Sequence, residues 1–187
     1  MFDSEGGNHG VAVNGSWTDG REDLAFEATG DSYVRIPNGE SISGRDGFIV
    51  RAWVRTDSAV DYQEEQRFPR LVAKAQTSAY RNTTGFQIAM SAGQISGLIG
   101  NGSTVLRLDG PRIDDHMWHH VTLMWDGSIG QLYLDGERMS SGQYTHSIEN
   151  SQPLVFGASS DAKRLFRGKI DEVWFQNGHI DPPAVDR

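Results

Sequence analysis

The sequence contains no cysteine among its 187 residues. Without thiols there can be no disulfide framework, no thiolate nucleophile and no zinc site built from cysteine ligands. Proline is also scarce, with six residues, whereas there are 22 glycines. This balance is typical of many short strands joined by tight turns, and it argues against a proline-rich disordered tail.

Long hydrophobic runs are absent as well, since no stretch approaches the roughly 20 apolar residues of a membrane helix. The first ten residues, MFDSEGGNHG, carry neither a basic segment nor an apolar run, so we expect no signal peptide in them. The last residues, DPPAVDR, resemble the start of a helix with proline near its first position. We therefore expect one domain over residues 1–187 that does not insert into membranes and was excised from a longer protein.

Basic residues are fewer than acidic ones, with 17 against 25, so the formal net charge is −8. Repulsion of this kind disfavours nucleic acid and anionic membranes as partners. Aspartates in loops could supply oxygen ligands for a hard cation. A solvated acidic surface that keeps the domain soluble explains the same total charge.

What the sequence does contain is a series of short segments rich in Val, Ile, Tyr, Phe and Trp, each bounded by turn-forming residues. They lie at 32–37, 48–56, 70–74, 86–91, 95–100, 104–108, 119–125, 131–134, 154–156 and 169–175. No window shows a sustained helical period. This spacing predicts an all-β protein built as a two-sheet antiparallel sandwich or jelly roll.

Alternation along the segments predicts which side chains face the core. The inward set is Phe48, Val50, Ala52, Val54, Val121, Leu123, Trp125, Leu132 and Leu134. The outward set is Ile49, Arg51, Trp53, Arg55, His120, Thr122, Met124, Gln131 and Tyr133. Asp126-Gly127 and Asp135-Gly136 predict hairpin turns that join a three-stranded meander between His119 and about Met139. The outward face is either a ligand platform or a surface covered by long loops.

Five motifs, in order along the chain, resemble the laminin-G-like domains of the concanavalin-A-like superfamily. They are LAFEATGDSYVRIP at 24–37, FIVRAWVR at 48–55, LVAK at 71–74, WHHV with WDG and LYLDG between 118 and 136, and GKIDEVW at 168–174. The resemblance runs from about residue 11 to 180. It implies a jelly roll of a secreted or cell-surface protein, of bacterial type, that binds glycans or other proteins and is common in adhesins and carbohydrate-active enzymes.

From this resemblance we expect a non-catalytic binding module that recognises carbohydrate. The alternatives are a protein- or peptide-binding module or a structural spacer in a large adhesin. A glycoside hydrolase is a weaker alternative, because it needs two carboxylates on one face and no Glu-x-Asp-x-Glu run is present. Asp171 and Glu172 are adjacent, so in a regular strand they would point to opposite faces.

The resemblance also implies a structural Ca²⁺. Its ligands would be the carboxylate of Asp171 and the backbone carbonyls of Ala25 and Ala28, completed by water. Glu27-Ala28 stands where the family has Asp-Gly, so the turn can differ. The alternative is that Asp171 accepts backbone N–H groups and stabilises a turn.

Two connections carry aromatic and polar residues suited to a sugar, over 57–69 and 76–84. Sugars stack on aromatic rings while Asn, Asp and Arg bind their hydroxyls, and long loops of this kind are often functional. The predicted ligand-binding residues are Tyr62, Phe68, Tyr80, Arg81 and Asn82.

Overall fold

The computed structural model describes residues 7–57, 68–76 and 81–178. Within this part of the chain there are fourteen strands and one short 3-10 helix at Glu40–Ile42. The strands are β1 (Val11–Val13), β2 (Ser16–Asp19), β3 (Leu24–Thr29), β4 (Tyr33–Ile36), β5 (Phe48–Thr56), β6 (Arg70–Ala75), β7 (Thr84–Ser91), β8 (Gln94–Asn101), β9 (Val105–Arg112), β10 (Trp118–Trp125), β11 (Ile129–Leu134), β12 (Glu137–Gln143), β13 (Leu154–Phe156) and β14 (Arg167–Asn177).

The strands form two seven-stranded sheets. The first sheet has the order β1-β4-β13-β6-β7-β8-β9, and the second has the order β12-β11-β10-β5-β14-β3-β2. All strand pairs are antiparallel. This is the predicted two-sheet jelly-roll sandwich. No helix in the described residues is long and apolar enough to cross a bilayer.

The core lies between the two sheets and is built from the predicted inward residues. Phe48, Val50, Ala52 and Val54 of β5 belong to it, as do Val121, Leu123 and Trp125 of β10 and Leu132 and Leu134 of β11. The ring of Phe48 stacks on that of Phe86 from the opposite sheet, with centroids 4.0 Å apart. Aromatic contacts of this kind stabilise a core beyond the area that they bury.

The predicted meander is confirmed, but its two turns differ from each other. Asp135 and Gly136 have φ angles of 51° and 82°, as the type I′ hairpin between β11 and β12 requires. At the other turn only Gly127 has a positive φ, of 91°. There the Asp126 carboxylate accepts the N–H groups of Ser128 and Ile129 instead. The prediction that Asp126-Gly127 turns in the same manner as Asp135-Gly136 was therefore wrong.

Several strands depart from the sequence prediction. The strand pattern did not predict β1 and β2, which have three and four residues and pair with β4 and β3. Strand β9 was predicted at 104–108 but continues through Pro111 to Arg112. Short or proline-containing strands at the edge of a sheet lack the long apolar alternation that a sequence pattern detects.

One buried lysine stabilises the rim of the sandwich. The Lys74 side chain is buried, and its ammonium group donates to Asn38 Oδ1 at 2.6 Å and to the backbone oxygens of Gln152 at 2.7 Å and Asn150 at 3.4 Å. Burial lowers the pKa of Lys74 to about 8. Three oxygen acceptors make this buried cation tolerable, and they attach two loops to β6.

Both sides of the sandwich are closed where the sheets meet. On one side β9 packs against β11 and β12, and the Leu106 side chain lies over Gly130 and Gly142, where an added Cβ would meet it at 2.7 and 2.6 Å. On the other side Asn14 and Gly15 carry the chain from β1 in the first sheet to β2 in the second. Gly15 lies against the Phe26 ring, so a larger residue does not fit there.

Candidate functional site

The outer face of the second sheet presents three tryptophans at alternate positions of adjacent strands. In β5, Trp53 points away from the core, and the register places it opposite His120 of β10. By the same alternation Trp118 of β10 and Trp174 of β14 lie on this face, opposite Arg55 and Arg51 respectively. All three indole rings are half-buried. We call Trp53, Trp118, Trp174, Arg51 and Arg55 together the aromatic face.

Guanidinium groups lie against each of the three rings. The Arg51 guanidinium is 4.6 Å from the centre of Trp174, and that of Arg55 is 6.0 Å from the centre of Trp118. Arg21 reaches over Trp53 with a separation of 3.8 Å. Stacking of this kind is attractive and restricts the arginine side chain without using its N–H groups, and Arg21 donates one of its own to Glu22 at 3.2 Å.

Asp171 holds the turn that carries Arg21. Its Oδ2 accepts the backbone N–H of Arg21 at 2.8 Å and that of Glu22 at 3.3 Å, and its Oδ1 accepts the N–H of Glu172 at 2.9 Å. Glu172 has a φ of 46°, and the pairing of β14 with β5 shifts register beside it. Asp171 and Glu172 therefore sit in a bulge and not in the regular strand that the sequence argument assumed. The bulge directs the Asp171 carboxylate to the turn between β2 and β3.

The other two predicted calcium ligands lie in β3, the strand that pairs with β14. Ala25 and Ala28 are both buried in β3, where Ala25 pairs with Thr18 and Ala28 pairs with Gly168. The Asp171 oxygens accept three backbone N–H groups, which is the turn-stabilising alternative that the sequence left open. The described residues contain no group of three acidic, histidine or cysteine side chains arranged to hold a metal. The calcium ion with Asp171, Ala25 and Ala28 as its ligands therefore stays a prediction from the resemblance.

His120 is buried beneath the aromatic face. It is 6% exposed, its ring lies 5.0 Å from that of Trp53, and its Nδ1 has no hydrogen-bond partner within the described residues. Burial lowers the pKa of His120 to about 4, and the positive charges of Arg51 and Arg21 act in the same direction. The imidazole is therefore neutral at neutral pH, with one polar atom unused.

The neighbouring histidine has the opposite environment. His119 Nδ1 lies 2.8 Å from Asp135 Oδ2, and its Nε2 lies 3.1 Å from Asp115 Oδ1. Burial by itself would lower the pKa of His119. The hydrogen bonds and negative charges of Asp135 and Asp115 outweigh the effect of burial, so the pKa lies above its usual value. The two adjacent rings diverge, as alternation predicts, and do not chelate one metal together.

The ligand-binding residues predicted in the two loops, here called the rim residues, do not all come together in the part of the chain that the structure describes. Phe68 precedes β6, whereas Arg81 and Asn82 precede β7, and because these strands are antiparallel their starts lie roughly 17 Å apart, at opposite ends of the pair. Arg81 and Asn82 are exposed, and the Phe68 ring lies 5.8 Å from the guanidinium of Arg164. Tyr62 and Tyr80 lie outside the described residues.

Two members of the aromatic face could have been found from the sequence. Trp118 lies two positions before His120, and Trp174 lies in the final predicted strand, so alternation would place both outward. Arg21 gave no such signal, because it is a turn residue that reaches Trp53 only through the fold. Its link to Asp171 spans 150 positions of sequence.

The fold and core define a jelly-roll sandwich, and comparison with known families agrees. The model of a laminin-G-type family, described as the concanavalin A-like lectin/glucanases superfamily, matches residues 28–186. The chain therefore belongs to this superfamily, as its sequence motifs predicted. A comparison with curated protein sequences finds no match.

Solved structures with the same fold include several binding domains. The binding domain of paraclostridial mosquitocidal protein 1 aligns with a TM-score of 0.67 and 16% identity, over 92% of this chain and 45% of that one. A binding domain of botulinum neurotoxin DC in complex with SialylT gives 0.69 and 11%, over 92% and 43%. Domain 4 of AbnA, an extracellular arabinanase from Geobacillus stearothermophilus in complex with arabinotriose, gives 0.62 and 18%, over 90% and 82%.

At these identities the likeness concerns the fold alone. The chain spans less than half the length of the two toxin binding domains that it matches. What those whole domains do is not transferred to this chain by the alignment.

Proposed function

We propose that this chain is a non-catalytic carbohydrate-binding module whose ligand lies on the aromatic face. The observation that carries the proposal is the placing of Trp53, Trp118 and Trp174, all half-buried, on one outer sheet face. An indole ring offers a flat apolar surface to the C–H groups of a sugar, while nearby polar groups bind its hydroxyls. Arg51 and Arg55 supply such groups beside two of the rings.

The structural neighbours support a binding role. One of them is a domain of an extracellular arabinanase in complex with arabinotriose, and another is a toxin binding domain in complex with SialylT. By analogy we propose that this unit is one module of a longer, extracellular or cell-surface protein. Fold analogy is a weaker argument than the site itself, so the tryptophans carry the proposal.

The acidic residues near the site support a non-catalytic role. The Asp171 carboxylate accepts hydrogen bonds from three backbone N–H groups. The carboxylates of Asp115 and Asp135 are both hydrogen-bonded to the His119 ring. A glycosidase needs one carboxyl group free to protonate the leaving group and a second to act as base or nucleophile. These three carboxylates have structural partners instead.

The expected test starts from a broad glycan array and continues by titration calorimetry with the best ligand. Replacing Trp174 by alanine is expected to weaken binding about tenfold or more, because a buried aromatic anchor commonly carries this much of the affinity. Trp17→Ala is the matched control, since Trp17 is 42% exposed and packs against Phe26, away from the aromatic face. Its affinity should equal that of the unchanged protein.

The second location at which the glycan can bind is the loops that carry the predicted rim residues. If Phe68→Ala or Asn82→Ala weakens glycan binding while Trp174→Ala does not, the ligand lies at the rim and the aromatic face is the wrong site. If no glycan on the array binds, the carbohydrate proposal fails and the protein-binding or spacer alternative takes its place.

We further propose, from the family resemblance, a structural Ca²⁺ near Asp171. Binding to the folded state alone would stabilise it by mass action, so millimolar CaCl₂ should raise the melting temperature and EDTA should reverse the rise. The variant Asp171→Asn should lose this response. A melting temperature that does not respond to CaCl₂ would leave Asp171 with its turn-stabilising role alone.

A further inference from the structure

We propose that the aromatic face selects an acidic oligosaccharide, whose carboxylates are bound by Arg51 and Arg55. The inference rests on the proposed function and adds the chemical class of the ligand. The first observation is the positive charge that Arg51 and Arg55 give this face, although the protein as a whole is acidic. The chain carries 25 acidic residues, yet neither arginine forms an ion pair with any carboxylate in the described residues.

The guanidinium groups of Arg51 and Arg55 contact rings and not carboxylates within the described residues. Arg51 and Arg55 are both half-buried, and their only described side-chain partners are the rings of Trp174 and Trp118. Stacking satisfies the flat face of a guanidinium but none of its five N–H donors. A planar carboxylate is the group whose geometry matches those donors, in a charge-assisted and commonly bidentate pair.

A second and independent observation concerns polar atoms without partners. Arg55 Nε and His120 Nδ1 are both buried and have no hydrogen-bond partner in the part of the protein that the structure describes. His120 is more than nine-tenths buried and lies against Trp53, in the middle of the aromatic face. Buried polar atoms are normally paired, so unused ones at one place indicate a missing partner such as bound ligand or water.

The spacing of the arginines indicates an oligomer. They are four residues apart on the same side of β5, so their Cα atoms are separated by roughly 13 Å. Arg51 leans towards β14 and Arg55 towards β10, because each stacks on a tryptophan of a different neighbouring strand. One acidic sugar is too short to reach both guanidinium groups. A chain that repeats carboxylates along its length can reach both.

The test compares trigalacturonic acid with its methyl ester, which has the same sugar chain but no charged carboxylates, by titration calorimetry. We expect the acid to bind at least roughly tenfold more tightly than the ester, because hydrogen bonds to charged groups are the stronger ones. Arg51→Gln and Arg55→Gln should each remove most of this difference, and Arg51→Lys should keep part of it. The control is Arg35→Gln, which removes an exposed arginine from β4 in the other sheet.

The outcomes separate this inference from the function on which it rests. If the acid and the ester bind equally, or if Arg51→Gln behaves like Arg35→Gln, carboxylate recognition is wrong although glycan binding stands. If trigalacturonic acid does not bind while a neutral glycan binds and depends on Trp174, the ligand class is again wrong. If neither charged nor neutral glycans bind, the proposed function fails as well. Melting temperatures of all variants show whether a loss of binding reflects unfolding.

Discussion

Replacing Asp171 by alanine is expected to lower the free energy of unfolding by about 2–4 kcal/mol, because three backbone N–H groups lose their acceptor in a partly buried place. Two of these donors belong to the turn between β2 and β3, and the third belongs to the bulge in β14. The carboxylate therefore links the turn between β2 and β3 to β14, which is the last strand along the chain. Chemical denaturation of the two proteins, followed by the fluorescence of the five tryptophans, measures the difference.

The control for this experiment removes a negative charge that has no comparable role. Glu149 is exposed and lies 3.9 Å from Arg45, so Glu149→Ala should change stability by no more than about 0.5 kcal/mol. A loss in Asp171→Ala as small as in Glu149→Ala would contradict the turn-stabilising role. The experiment is done in EDTA, so that the effect measured is that of the hydrogen bonds and not of a metal.

His120 is expected to make the protein sensitive to acid. Its pKa is lowered from 6.5 to about 4, so the folded state resists protonation that the unfolded state accepts. With the folded pKa below the unfolded one, stability is complete above about pH 6.5 and falls as the pH drops towards 4, by about 3 kcal/mol at pH 4. His120→Gln removes this term. We expect the variant to lose less stability than the unchanged protein between neutral pH and pH 4.

The adjacent histidine provides the matched control, because its pKa is shifted in the other direction. The raised pKa of His119 means that its protonated form stabilises the fold below the unfolded pKa and that this contribution is lost as the pH rises. His119→Gln should therefore enlarge the loss of stability in acid, whereas His120→Gln reduces it. Equal pH profiles for the two variants would show that the burial of His120 does not govern its charge.

Much of the sandwich follows from the sequence, because its long central strands alternate without interruption. The inward residues of β5 and β10 were predicted one by one, and Asp135-Gly136 predicted the turn that follows β11. A buried face on one side fixes the register, since a shift by one residue would turn the apolar set outward. The family motifs added the jelly-roll superfamily, which the family comparison confirms.

The parts that could not be predicted depend on contacts between distant positions. Nothing in the sequence near Glu172 indicates a bulge, because a positive φ at a glutamate is set by the hydrogen bonds of Asp171 with a turn about 150 residues earlier. The position of Arg21 over Trp53 depends on the same link. Strand propensity describes local preference and contains no information of this kind.

The candidate site was predicted in part only. The sequence indicated an outward face with Trp53, His120 and Tyr133, but the ligand residues were placed in loops because loops so often carry function. The fold separates Phe68 from Arg81 and Asn82, since two antiparallel strands begin at opposite ends. Composition shows which loops are rich in binding residues, but it does not show which loops lie next to each other in the fold.

Closure along both sides of the sandwich also governs how copies of this domain behave when they are crowded together. An open strand edge invites a neighbouring chain to add a strand, which leads to swapping and aggregation. Here β1 and β2 offer only three and four residues, and β9, which contains Pro111, is packed against β12. Tandem copies in one polypeptide, or molecules at high density on a surface, should therefore stay separately folded and not pair their edge strands into a common sheet.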